Sequence, residues 1–347
     1  MSREERKLRK HLEAHVNREL RKALSKARVK DWKPPRERVN ISAEQEDYLP
    51  PAKRKTRTEQ DASVSRGLVA ETGPGFCDVL SAGERVRCRT AGDVAIGDQV
   101  LFSPDRRRIE NVLPRRTSLS RADPHNPRLE RVIAANVDIV VNVVSLKNPP
   151  LRPGLIDRYL IAIGKSGAEA VVCVNKIDLL ASQEDLDPLR PYQDIGTHVI
   201  LCSASTGVGL ETLSQALAGK LCVFAGHSGV GKSSLLNALD PRLQITTGSI
   251  SSANEKGCHT TTSSALYHLA NGAIVIDTPG IREFGLWDVT REDLRRYYKE
   301  FTAYQCAFSD CTHSHEPDCA IKQAVASGAI SNARYESYAR IFNLERW

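Results

Sequence analysis

Gly226-His227-Ser228-Gly229-Val230-Gly231-Lys232-Ser233 matches G-x-x-x-x-G-K-[ST], and its flanks constrain the fold more than any other feature of this 347-residue chain. An apolar run, 221–225, precedes it, and a helical run, 234–239, follows it. Strand, glycine-rich loop and helix in that order are what a phosphate-binding loop requires. The glycines let backbone N–H groups turn inward, and the helix N-terminus adds the positive end of its dipole. In such a loop Lys232 reaches the β- and γ-phosphates and the Ser233 hydroxyl ligates Mg²⁺, with Ser234 beside it. The rest of the pattern agrees with an α/β domain on a mainly parallel sheet. Runs 139–144, 170–174, 199–202 and 273–276 read as buried strands, and 155–165 and 233–239 as helices.

Asn175-Lys176-Ile177-Asp178 follows the strand at 170–174. The Asp178 carboxylate can accept two hydrogen bonds, matching the N1–H and N2–H₂ of guanine, whereas adenine would leave it unpaired. Asn175 can bridge the base and neighbouring backbone, and Lys176 can lay its stem over the ring. Ser203-Ala204-Ser205, ending the next strand, can support the base edge through backbone N–H. Asp277-Thr278-Pro279-Gly280 begins 51 residues after Gly226. Asp277 can hold Mg²⁺ through water, and the Gly280 N–H can meet the γ-phosphate. Between these motifs, His259-Thr260-Thr261-Thr262 offers a hydroxyl that closes the Mg²⁺ shell as switch loops do. The sequence does not single out one of the three threonines, and Thr261 is taken as the ligand. The motif order is shuffled. Ordinary GTPases place the phosphate loop first and N-K-x-D fourth. The same sheet still forms if the chain is circularly permuted, which costs little when termini and loops lie at the surface.

Nine cysteines, an odd number in a chain that opens on charged residues from Arg3 onward, argue against a disulfide framework. Three of them cluster. Cys306, Cys311, His313 and Cys319 form C-x₄-C-x-H-x₅-C, a donor set suited to one structural zinc, with His315 an alternative on spacing alone. Upstream, five short β-rich runs between 67 and 113, separated by Gly/Pro/Asp turns, fit a small OB-type barrel. The net charge of +7 is concentrated before the barrel: residues 1–60 hold 18 Lys/Arg against 10 Asp/Glu, leaving 31 against 32 in the rest. Leu8, Leu12, Val16, Leu20 and Leu24 make a narrow apolar stripe on a charged helix, and a Pro-rich linker with a Lys53-Arg54-Lys55 run follows. Such an arm suits a polyanion. The most apolar stretch, 132–146, is interrupted by Asn136, Asp138 and Asn142, so no membrane span is expected.

Taken together, G-H-S-G-V-G-K-S-S at 226–234, N-K-I-D at 175–178, D-T-P-G-I-R-E-F at 277–284 and the cysteine cluster resemble the circularly permuted, ribosome small-subunit-dependent GTPases, the RsgA/YjeQ family. The resemblance covers about residues 63–347. It implies an N-terminal OB-fold barrel, a central permuted P-loop GTPase domain and a C-terminal, mainly helical zinc domain. The corresponding boundaries are 1–62 for a partly disordered basic extension, 63–115, 116–285 and 286–347. It further implies GTP hydrolysis stimulated by the small (30S) ribosomal subunit, contact with 16S rRNA late in maturation, and a cytoplasmic protein, here expected as a monomer. The family pattern selects His313 as the fourth zinc ligand and gives a histidine, here His259, the task of positioning the attacking water. Two departures matter. Cys258 stands where the family has arginine, and Ile281 occupies the place where many GTPases carry a water-orienting glutamine. Ile281 keeps a second reading open, an assembly factor whose bound GTP only sets conformation.

Overall fold

The computed structural model describes residues 64–90, 92–123, 126, 129–245, 265–277 and 289–343. The expected arm helix and linker, His259, Thr260–262 and Gly280 lie outside the described residues.

Short β-branched runs with glycine turns between them close into a barrel. Its strands are β1 (Ser65–Gly73), β2 (Phe76–Ser81), β3 (Glu84–Arg89), β4 (Gln99–Ser103) and β5 (Arg108–Val112). Their order is β1-β2-β3-β5-β4, with β4 pairing back onto β1. That is a five-stranded Greek-key barrel of the OB type. Val69, Val79, Val100 and Phe102 fill it.

A hairpin that the hydrophobic pattern does not predict, β6 (Ser118–Ala122) with β7 (Glu130–Ala135), joins barrel to sheet. Ala135 N–H donates to the Ile96 carbonyl at 2.8 Å, and Asn136 Nδ2 donates to the Gly97 carbonyl at 2.9 Å. A Cβ on Gly97 (φ +85°) would stand 2.1 Å from the Ala135 carbonyl oxygen, so the close approach needs glycine there. Beside it, Arg115 forks onto the fully buried Asp98 through Nε (2.7 Å) and Nη2 (2.8 Å).

The central sheet has the order β10-β9-β8-β11-β13-β12. Its strands are β8 (Ile139–Ser145), β9 (Glu169–Asn175), β10 (His198–Leu201), β11 (Leu221–Ala225), β12 (Ala265–His268) and β13 (Ile274–Asp277). All neighbours run parallel except β12 against β13. β11, fifth of the strands from β7 onward in the chain, inserts beside β8 at the centre, with Ala225 opposite Asn142. The shuffled motif order therefore still gives one continuous sheet. Helices α1 (Pro153–Ser166), α2 (Arg190–Asp194), α3 (Leu210–Leu217) and α4 (Lys232–Leu239) connect and cover the strands. Val141, Val143, Val171, Phe224 and Val275 pack on one face with Leu213 and Leu235. Val140, Val223 and Ile276 pack on the other with Tyr159 and Ile163 of α1.

After the sheet come α5 (Arg291–Leu294), two 3₁₀ turns (Arg295–Tyr297, Lys299–Ala303), α6 (Ala320–Ala326) and α7 (Asn332–Phe342). Leu294, Tyr298, Phe301, Ile321, Tyr338 and Ile341 form a separate core around the cysteine cluster. No helix among the described residues is long and apolar enough to cross a membrane.

Candidate guanine-nucleotide site and metal centre

Because β8, β9, β10, β11 and β13 run parallel, their C-terminal ends share one edge, where α/β sheets carry their ligands. Asn175 ends β9, Ser203 follows β10, Gly226 follows β11 and Asp277 ends β13. Motifs from 175 to 277 thus meet at one rim.

The phosphate loop leaves β11 pressed onto β8. A Cβ on Gly226 (φ +142°) would lie 2.2 Å from the Val143 carbonyl oxygen, and one on Gly231 (φ +92°) would lie 2.4 Å from Asn175 Nδ2. Gly229 also has positive φ, +82°. Ser233 and Ser234 open α4, so the loop runs directly into a helix N-terminus. Lys232 Nζ donates to the Gly226 carbonyl (2.7 Å) and the His227 carbonyl (3.0 Å), folded back over the loop it serves. Val230 is buried against the sheet, while His227, Ser228 and Gly229 are exposed.

The N-K-I-D segment meets this loop directly. Asn175 is buried; its Nδ2 donates to the Val230 carbonyl at 2.9 Å, and its Oδ1 accepts from the Ala204 N–H at 3.1 Å. The backbone half of the bridge expected of Asn175 is present in these two bonds. One N–H and one lone pair of the Asn175 amide are thus engaged by backbone on either side. Asn175 is a brace holding three loops together. Lys176, with φ +64°, sends Nζ to the Gly229 carbonyl (2.7 Å) and the Asn148 carbonyl (2.5 Å). Ile177 N–H donates to the Cys202 carbonyl at 3.2 Å, starting a 3₁₀ turn that turns Asp178 outward. Asp178 accepts from the fully buried Ser203 hydroxyl at 2.5 Å. That bond, against a small opposing cost of burial, holds its carboxyl below the usual carboxylate range. An exposed carboxylate, ionised and aimed by a serine, is ready for a pair of donors.

Asp277 stands at the end of β13, beside β11.

In the C-terminal region the ligand atoms of Cys306, Cys311, His313 and Cys319 all lie within 4.8 Å of one another. Cys306 Sγ is 3.8 Å from Cys319 Sγ, and His313 Nδ1 is 3.5 Å from Cys306 Sγ and 3.4 Å from Cys319 Sγ. A tetrahedron with metal–sulfur bonds of about 2.3 Å and a metal–nitrogen bond of about 2.0 Å has edges of roughly 3.5–3.8 Å. The three edges among Cys306, His313 and Cys319 match that range, and Cys311 completes a donor set of the zinc type. Between the two histidines left open by spacing, geometry selects His313, which is buried; His315 is exposed, with Nδ1 on Ser314 Oγ. Burial, then the Arg295 charge, lower the His313 pKa and keep it in the neutral, ligating form. Tyr335 and Tyr338 donate to the carbonyls of His313 (2.7 Å) and Thr312 (3.0 Å). Glu316 ties the same turn by accepting from Thr312 N–H (2.7 Å), Thr312 Oγ1 (2.6 Å) and Ser314 N–H (3.0 Å).

A P-loop, an N-K-x-D brace and a sheet assembled in permuted order define a circularly permuted GTPase. The RsgA GTPase family profile matches residues 112–287. A small ribosomal subunit biogenesis GTPase RsgA of Chlorobaculum parvum is 40% identical over 306 residues, spanning 81% of this chain and 98% of that protein. One from Haemophilus influenzae (strain 86-028NP) is 41% identical over 274 residues, 75% of this chain and 78% of that protein. Among solved structures, YjeQ from Thermotoga maritima is 36% identical with a TM-score of 0.66, covering 81% of this chain and 98% of its own. YloQ, described as a circularly permuted GTPase, is 28% identical with a TM-score of 0.62, covering 82% and 96%. The chain belongs to the RsgA GTPase family and is a GTP-hydrolysing enzyme.

Proposed function

We propose that this enzyme is a ribosome-biogenesis GTPase that acts late in maturation of the small (30S) subunit, with the subunit and its 16S rRNA as activating partner. The observation that carries the nucleotide half is the Asn175 brace, which fastens the guanine-reading segment to the phosphate loop. The ribosomal half is supported by relatives named for small-subunit biogenesis and by the basic surplus of residues 1–60. Asp178 reads guanine. Residues 226–234 hold the phosphates, with Lys232 released from its carbonyls onto the β- and γ-oxygens. Mg²⁺ is held by Ser233, by Thr261 and, through water, by Asp277, while the Gly280 N–H meets the γ-phosphate. Zinc sits in the Cys306, Cys311, His313 and Cys319 set as a structural ion. His259 positions the attacking water in place of the glutamine that Ile281 replaces. The working division is an extension at 1–62, a barrel at 63–115, a GTPase domain at 116–285 and a zinc domain at 286–347, in a cytoplasmic monomer.

Co-sedimentation with ribosomal subunits, run with GDP and with a non-hydrolysable GTP analogue, tests this reading together with phosphate release. The expected result is small-subunit binding in the analogue state and turnover raised by small subunits alone. Equal pelleting with both subunits, or turnover indifferent to them, overturns the ribosomal assignment.

A further inference from the structure

Asn142 sits in the middle of β8, a strand buried along its whole length and otherwise apolar from Ile139 to Val144. It is fully buried, and neither its amide nitrogen nor its oxygen has a hydrogen-bond partner among the described residues. An unpaired buried amide is costly, and a strand that needed only packing would carry valine or leucine at this place. Side chains alternate along a strand, so Asn142 shares a face with Val140 and Val144, which pack toward α1. Its neighbour across the sheet is Ala225, the last residue before the phosphate loop.

A cleft, partly open to solvent and with about 20 Å³ of room for water, reaches this point. Its lining joins Asn142 and Ser145 of β8, Arg152 and Leu155 at the start of α1, and His227 and Val230 of the loop. A water needs roughly 10–15 Å³ and two to four polar partners, so the inner end of this space has room for one. His227 Nδ1 is engaged by the Ser228 carbonyl at 2.8 Å, which leaves Nε2 for another partner. The loop rests on β8 here already, at the contact of Gly226 with the Val143 carbonyl.

We propose that Asn142 is a positioning residue for the phosphate loop: its amide binds one water at the inner end of this cleft that props residues 226–230 from beneath. It touches neither nucleotide nor metal. It sets where the loop's N–H groups point before the phosphates arrive, at a cost in stability carried by the strand. This rests on reading 226–233 as the phosphate loop.

Asn142→Leu replaces the amide by an apolar side chain of the same branching but greater bulk, and Asn142→Val does so with less added bulk. The expected result is an unchanged or raised Tm together with GDP affinity lowered about fivefold, the worth of roughly one hydrogen bond. Asn142→Ser, which keeps a polar group and leaves room for water, recovers most of that affinity. A residue with only a structural role moves Tm and leaves affinity alone, so wild-type affinity in both apolar variants overturns the proposal. A wild-type chain that binds no guanine nucleotide overturns the loop reading itself, a separate outcome. A crystal structure of the wild-type protein that resolves ordered waters decides the case even if the variants misfold. A water bonded to the Asn142 amide is expected there, and its absence refutes the idea.

Discussion

Asp178 and Asn175 belong to one four-residue motif but do different work. Asp178 is aimed outward by Ser203 and holds no backbone brace, so Asp178→Ala is expected to leave Tm nearly unchanged while GDP and GTP affinity fall by about 100-fold, the loss of two charge-assisted hydrogen bonds. Fluorescent-nucleotide titration measures this. His259→Ala is expected to keep GTP affinity near normal and to abolish subunit-stimulated phosphate release. Asp240, after α4, accepts from Arg242 through Nε (2.8 Å) and Nη2 (2.6 Å) and from the Ala270 N–H (3.1 Å). The Arg242 hydrogen bonds draw its pKa from 3.8 to about 2. A folded pKa below the unfolded value contributes stability above about pH 4, lost as pH falls toward 2. Asp240→Asn is therefore expected to lower Tm at pH 7, with the gap to wild type closing over that acid range. Residue types and spacing are enough to single out Asp178, Lys232 and Ser233 as candidates, because each sits in a short motif. They did not reveal which backbone groups Asn175 joins, because its partners Val230 and Ala204 are far away in the chain.

At the scale of elements, the strands announced themselves where apolar runs were flanked by turn residues. The five barrel runs, β8 to β11 and β13 fall where the pattern places them. The β6–β7 hairpin escaped because Ser118–Ala122 reads Ser-Leu-Ser-Arg-Ala, with one large apolar residue, and owes its form to pairing with β7. β12 escaped for the same reason: it is a four-residue edge strand defined by β13. The segment that carries the cysteine–histidine set has little regular structure between Ala303 and Ala320, so its shape depends on those four side chains and on Tyr335, Tyr338 and Glu316. Chelation at neutral pH is expected to release about one zinc per chain and to unfold this region first. Hydrogen exchange read peptide by peptide checks it: protection should be lost across 304–342 while β8 and β11 keep theirs.

Across the whole molecule, Arg334 of α7 is buried against the GTPase domain. It pairs with Asp157 of α1 and with Glu300 through Nε (2.7 Å) and Nη2 (3.2 Å), and lies over Tyr298 at 4.5 Å and Tyr192 at 5.4 Å. Burial raises the Asp157 pKa even with Arg334 opposing it, so the pair is costly to form and costlier to break. Arg334→Ala leaves two carboxylates without their cation and is expected to cost about 3–5 kcal/mol, seen as a lower denaturant midpoint. Asp157→Asn combined with Arg334→Met should recover part of it. Nothing in the sequence links position 157 to position 334. The sequence alone singled out the phosphate-loop motif, the Asp178 carboxylate, the cysteine–histidine cluster and the α/β class, because each depends on residues close together or on a short period. Tertiary structure decided which histidine joins the cysteines, what Asn175 braces, where Asn142 points and how the zinc domain is docked. Those outcomes depend on which distant segments share a sheet edge or a buried interface, and no local pattern encodes that.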